Sequence, residues 1–171
     1  WYSEALLPSV FLPKVRGDNR AESFTHADGV IGHFTIAPGV RGEAKLTTDA
    51  SQFIVVEAKL GSSLSTGTKN APTYDQAARN VACMAFMIGQ LPNWLDKLKS
   101  LAFYVIAPQR QIDGGVFGDL VTKESILKKV QARVDQYKDK DNLDLWFKEI
   151  FQPVLEHIKV GILSWESILD Y

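Results

Sequence analysis

Glu57 and Lys59 stand two residues apart at the end of the apolar run Phe53-Ile54-Val55-Val56, ahead of Leu60 and the turn-like Gly61-Ser62-Ser63. The run is β-branched at three of its four positions and reads as a buried strand. Side chains alternate along a strand, so this carboxylate and ammonium leave one face with backbone origins ~6.5–7 Å apart. Charged residues are almost never fully buried unless they are paired or bound to something. Two of them at the carboxyl end of an apolar strand mark a candidate site. With a second carboxylate on a neighbouring strand, hard oxygen ligands would lie a few Å apart, a set that suits Mg²⁺ or Mn²⁺.

Other chemistries fit the sequence less well. The stretch from Gly61 to Lys69 has glycines, but their spacing is one too long for a phosphate-binding loop, and Thr68 precedes Lys69 instead of following it. His26, His33 and His157 lack the spacing of a zinc helix, although His26 could support Asp28 from the same strand face. Cys83 is the one cysteine and sits among apolar residues, which favours a buried, inert thiol. With no disulfide possible and no CxxC, a reducing, cytoplasmic setting is expected. There is no G-x-S-x-G elbow.

The 171 residues suffice for one domain with a sizeable core, and the expectation is a single domain over 1–171. Hydrophobic content of 46% and charge of 23% are those of an ordinary globular chain. A net charge of −1 excludes a broadly basic nucleic-acid coat, though not a local basic groove. No apolar run is long enough to span a membrane, and the start lacks a signal-peptide pattern. The chain opens on Trp1, which leaves room for an element upstream.

Stepping along the chain, Pro8 and Pro13 interrupt the apolar residues of 1–23, so a short helix or irregular segment is expected there. Phe24 to Ile36 reads as strand, with His26, Asp28 and Val30 on one face and Ala27, Gly29 and Ile31 on the other. Pro38-Gly39 and Gly42 mark a loop, and residues 43–47 fit an extra hairpin strand. After the polar stretch 61–72, a helix is expected from Thr73 to about Gln90, with Thr73 and Gln76 matching a capping box. Its small residues suit close packing on a sheet. Leu101–Ala107 is a second buried strand, followed by a glycine-containing loop over 109–120. Residues 122–138 form an amphipathic helix pattern, and 143–159 a further helix that Pro153 would kink or split. Val160–Trp165 suits a last strand, with a terminal helical turn after it. The order predicts a mixed α/β or α+β domain.

The pattern Ala27-Asp28-Gly29-Val30-Ile31, then Val55-Val56-Glu57-Ala58-Lys59, resembles the signature of the PD-(D/E)XK, or restriction-endonuclease-like, nuclease superfamily. The helix at 73–90 and strand at 101–107 follow in the family's order. The resemblance spans about 24–107, with 122–171 a C-terminal helical elaboration. It implies a central mixed sheet flanked by helices and a metal-dependent endonuclease that hydrolyses DNA phosphodiesters. Asp28, Glu57 and the Ala58 carbonyl would ligate Mg²⁺ or Mn²⁺, and Lys59 would be the catalytic lysine. Gln76 matches a helix glutamine found near the metal in many relatives, a role open beside its reading as a capping residue. The family's proline is Ala27 here, and the long gap before Glu57 requires an insertion or hairpin within 37–52. If residues 43–48 were instead the neighbour of Glu57, Glu43 or Asp49 would be the upstream acid. A further acid from an N-terminal element would be Glu4, Glu22 or a residue before Trp1.

Lys69, Arg79 and Ser62 are candidate substrate contacts, with Arg41, Lys45 and Arg110 as further basic positions. The loop Gly114-Gly115-Val116-Phe117-Gly118 could line a cleft. DNA is the expected partner, a homodimer is compatible with double-strand cleavage, and no membrane partner is expected. Two alternatives stand beside the nuclease. One is an inactive member of the same fold that binds DNA or protein. The other is an unrelated α/β domain in which Glu57 and Lys59 are a surface ion pair.

Overall fold

The computed structural model describes residues 1–12, 16–18, 22, 24–37, 42–67, 71–137 and 142–170. A five-stranded sheet is built from β1 (Tyr2–Pro8), β2 (Phe24–Gly32), β5 (Gln52–Ala58), β6 (Ser100–Ala107) and β7 (Lys159–Ser164), in that spatial order. β2 runs antiparallel to both β1 and β5, whereas β5, β6 and β7 are parallel. The fold is thus mixed α+β around a mixed central sheet. Between β2 and β5 the chain makes a separate two-stranded hairpin, β3 (Phe34–Ile36) with β4 (Ala44–Leu46).

That hairpin is the insertion the long Asp28–Glu57 spacing requires. Gly32 makes the departure possible: at φ +142° a Cβ there would stand 2.1 Å from the Gln52 carbonyl oxygen. Only glycine lets β2 end flush against the start of β5. Because β2, not β4, pairs with β5, Glu43 and Asp49 are not the strand neighbours of Glu57. Glu43 instead bridges to Leu6, and Asp49 lies exposed in a turn.

Residues 2–8 are neither helix nor irregular but strand β1, because Ala5 and Leu7 alternate onto the core and Pro8 closes the strand. In β2 the simple alternation fails. Ala27 and Val30, three apart, are both buried, while His26 is exposed, so the strand changes face near Asp28. Across from that point, between the pairs Ser3–Gly29 and Ala5–Ala27, Glu4 adopts φ +53°. The kink removes His26 from any shared face with Val30.

The helix after β5 is α1, Gln76–Ile88, and its N-cap is Asp75, not Thr73. Asp75 Oδ1 accepts the Ala78 N–H at 3.0 Å, which an exposed Thr73 two residues before the N-cap does not do. α1 packs on β1 and β2, its alanines allowing the close approach. A short α2 (Trp94–Lys97) precedes β6. The expected loop after β6 begins with a turn of helix, α3 (Gln109–Asp113), which Pro108 starts by presetting its φ. Phe117 is buried and anchors the glycine loop, followed by a 3₁₀ turn at Gly118–Val121.

α4 (Lys123–Asp135) is capped by Thr122 and buries Ile126, Val130 and Val134, as its pattern predicts. The next helix is interrupted as Pro153 suggests. α5 (Leu143–Trp146) passes through a π-helical turn at Phe147–Phe151 into α6 (Gln152–His157). The wide turn lets the chain continue past a residue with no N–H to donate. β7 and α7 (Trp165–Leu169) complete the chain. Arg133 of α4 is buried, its guanidinium 5.2 Å from the Phe11 and Tyr137 ring centroids and 5.7 Å from that of Tyr74. It ties the segment after β1 to the helical layer. Trp94 and Trp146 serve as packing anchors against His157 and against Phe11 and Phe151. Burial pushes the Cys83 thiol up to about 12, which makes it inert.

Candidate active site at the carboxyl end of the central strand

Alternation along β5 sends Phe53, Val55 and Glu57 to the face under α1, where all three are buried. Glu57 is 1% exposed. Such a carboxylate needs partners, and it has several. Lys59 Nζ donates to Glu57 Oε1 at 2.7 Å, and Gln76 Nε2 donates to the same oxygen. Asn80 Nδ2 donates to Oε2 at 3.3 Å. The pair Glu57–Lys59 is therefore an enclosed one, with 12% of the lysine side chain exposed, and not the surface pair considered above.

Asp28 arrives from β2. The antiparallel register pairs Gly29 with Val56, so the next step brings Asp28 beside Glu57. Its Oδ2 accepts the Ala58 N–H at 2.8 Å, which fixes the carboxylate against the backbone between Glu57 and Lys59. The Lys59 N–H in turn donates to the Ile106 carbonyl at 2.8 Å, extending the β5–β6 ladder one residue past the strand. Asp28, Glu57, Lys59 and Gln76 thus converge. Burial raises the pKa of Glu57 to about 7, and the negative charge of Asp28 adds to the rise while Lys59 opposes it. Two carboxylates forced together in this way make a place where positive charge is favoured.

Gln76 does not cap its helix. Its amide joins Glu57 on one side and accepts the Ser65 N–H at 3.2 Å on the other, while the Gln76 N–H donates to the Ser65 carbonyl at 3.0 Å. Arg79 donates to Ser65 Oγ at 2.9 Å, so its guanidinium holds the loop after β5. The Ser62 side chain is exposed, with its carbonyl held by Gln111 Nε2 at 2.5 Å. Lys69 and Arg41 lie outside the described residues; Lys45 and Arg110 are exposed. The first turn of α1 is fixed from behind, where Lys129 of α4 reaches Asp75 Oδ2 at 2.5 Å.

Three contributors escape a reading by motif. Asn80 carries a faint signal, a polar residue four after Gln76 on an otherwise apolar helix stripe. Gln111 and Lys129 carry none, because their roles depend on long-range packing. Asp28, Glu57 and the Ala58 carbonyl are the groups available to a metal ion. Among the described residues no cluster of three or more His, Cys, Asp or Glu side chains is placed to hold one. Among the same residues, no helix is long and apolar enough to cross a membrane.

Comparisons of the chain with protein-family models, with curated proteins and with solved structures found no match.

Proposed function

We propose that this chain is a metal-dependent endonuclease of the restriction-endonuclease-like type, hydrolysing DNA phosphodiesters at Asp28, Glu57 and Lys59. The observation that carries the reading is the convergence of those three side chains with Gln76. They come from β2, β5, the residue after β5 and the start of α1, the element order that the PD-(D/E)XK resemblance implies.

The donor set fits a hard divalent cation. Mg²⁺ is commonly held by one or two carboxylates while it keeps several waters, so Asp28, Glu57 and the Ala58 carbonyl suffice without a third acid. Burial raises the pKa of Glu57 and the nearby charge of Asp28 adds to the rise; a cation between the two acids would offset both. Bound there, Mg²⁺ or Mn²⁺ would polarise a phosphodiester oxygen and lower the pKa of a water.

The chain's own groups divide the remaining work. Lys59 offers a positive charge to the phosphate as a water oxygen bonds to phosphorus and one P–O bond to a sugar breaks. Its ammonium, held at Glu57, is also placed to orient that water or to protonate the departing oxygen. Gln76 keeps Glu57 and the Ser65 loop in fixed relation. The amino end of α1 contributes partial positive charge toward a phosphate.

The test is incubation of purified chain with supercoiled plasmid and Mg²⁺ or Mn²⁺, with EDTA as control. Nicking that disappears in Glu57→Ala and Lys59→Ala variants of unchanged circular dichroism supports the reading. A folded chain that binds DNA and cuts no form of it with either metal is instead a binding module of the same fold.

A further inference from the structure

We infer that Asn80 is a positioning residue for Glu57, holding the carboxylate oxygen that Lys59 and Gln76 do not take; the inference rests on the nuclease reading above. Asn80 is fully buried at mid-helix in α1, with Ala77, Val81 and Met84 buried around it. Asparagine is a poor helix former, and a buried amide is costly unless both its ends are bonded. Here only one end is. Nδ2 reaches Glu57 Oε2 at 3.3 Å, while Oδ1 is buried with no partner among the described residues. A leucine of similar volume would remove the orphaned oxygen and suit the helix, at the loss of the amide donor to Glu57 Oε2. For stability alone, the amide gains little.

What it does is local. Glu57 Oε1 is taken by Lys59 and Gln76, and Oε2 by Asn80, one helical turn along the same face from Gln76. The terminal torsion of a glutamate is broad, so a carboxylate held at one oxygen alone can rotate its plane. Two amides spaced four residues apart grip both oxygens and set that plane relative to Asp28. Groups behind a metal-ligating carboxylate typically change metal affinity or activity 10–100-fold when lost.

The experiment compares wild type with Asn80→Leu, and with Asn80→Ala in case leucine does not fit. Four quantities are read: Tm without metal, Mn²⁺ affinity by electron paramagnetic resonance, and kcat and KM for plasmid nicking. The expected result is a Tm close to wild type, because removing the orphaned Oδ1 offsets the donor lost from Glu57 Oε2, with Mn²⁺ binding weaker by about tenfold or more and kcat lower by about 10–100-fold at unchanged KM. A variant that binds Mn²⁺ and cuts as wild type does overturns the inference and leaves the nuclease reading standing. So does a loss of activity matched by a fall in Tm, which marks Asn80 as merely structural. A wild-type chain that neither binds Mn²⁺ nor cuts DNA overturns both.

Discussion

The carboxylate of Asp28 accepts the backbone N–H of Ala58 at 2.8 Å, so an acid from β2 is locked to the peptide between Glu57 and Lys59. The bond makes the geometry of the two acids a property of strand register and leaves little to side-chain chance. It also separates the structural work of Asp28 from its charge.

Asp28→Asn tests that separation. An asparagine Oδ1 can still accept the Ala58 N–H, so thermal stability should change little, by about 1 kcal/mol or less. Removing the charge should weaken Mn²⁺ binding, read by calorimetry, at least about tenfold, and lower plasmid nicking by about a hundredfold. Glu43→Gln and Asp49→Asn should leave both unchanged. Equal losses from either of those would move the upstream acid away from Asp28.

The proton affinity of Glu57 sets a stability–pH relation for the metal-free protein. Its folded pKa, about 7, lies above the ordinary glutamate value of 4.5. A group raised in this way stabilises the fold fully below the unfolded pKa and loses that contribution as pH climbs through the folded one. Glu57→Gln has no such loss. In urea titrations with EDTA, the variant should therefore gain on wild type by roughly 1–3 kcal/mol between pH 5 and pH 8. A gap that moves the other way, or not at all, contradicts a strained carboxylate.

Asp75 is expected to be the costly residue at the start of α1. Asp75→Ala loses the Ala78 cap and leaves the Lys129 ammonium without its partner, so it should destabilise by about 2–4 kcal/mol. Lys129→Met should cost less, because the cap survives, and a double-mutant cycle should give a coupling of about 1–2 kcal/mol. Thr73→Ala should lie within about 0.5 kcal/mol of wild type. Were Thr73 the sensitive position, the cap would have been misassigned.

Gln111 acts on the far side of the loop after β5, accepting the Gly61 N–H at 2.9 Å and donating to the Ser62 carbonyl at 2.5 Å. Gln111→Ala removes both bonds. Hydrogen exchange at the Gly61 amide should quicken about tenfold or more, while global stability falls by no more than about 2 kcal/mol. Unchanged exchange at Gly61 would mean that the loop is held by other contacts.

Much of this was legible locally. The apolar run 53–56 ending in two charges, the small-residue helix, the strand 101–107 and the amphipathic pattern of α4 each announce themselves through periodicity over a few neighbours. The resemblance carried by residues 27–31 and 55–59 adds an order for these elements. Strand β1 is hard to read locally because Pro8 at its end and Pro13 beyond it speak against strand more loudly than two buried side chains speak for it. Thr73 matches a capping box by its spacing to Gln76, but spacing does not show where the helix begins; it begins at Gln76, so Asp75 is the cap.

Local pattern is enough to show that an acid and a lysine close an apolar strand, and that a helix and a second buried strand follow. The folded arrangement is needed to see that Asp28 is the acid beside them, that Gln76 turns to Glu57 instead of its own helix end, and that Asn80, Gln111 and Lys129 hold the surrounding groups. The physical reason is range. Alternation and capping are settled within a few residues, whereas register and the pairing of buried polar groups are settled between segments far apart in the chain, where the cost of an unpaired charge selects the partner.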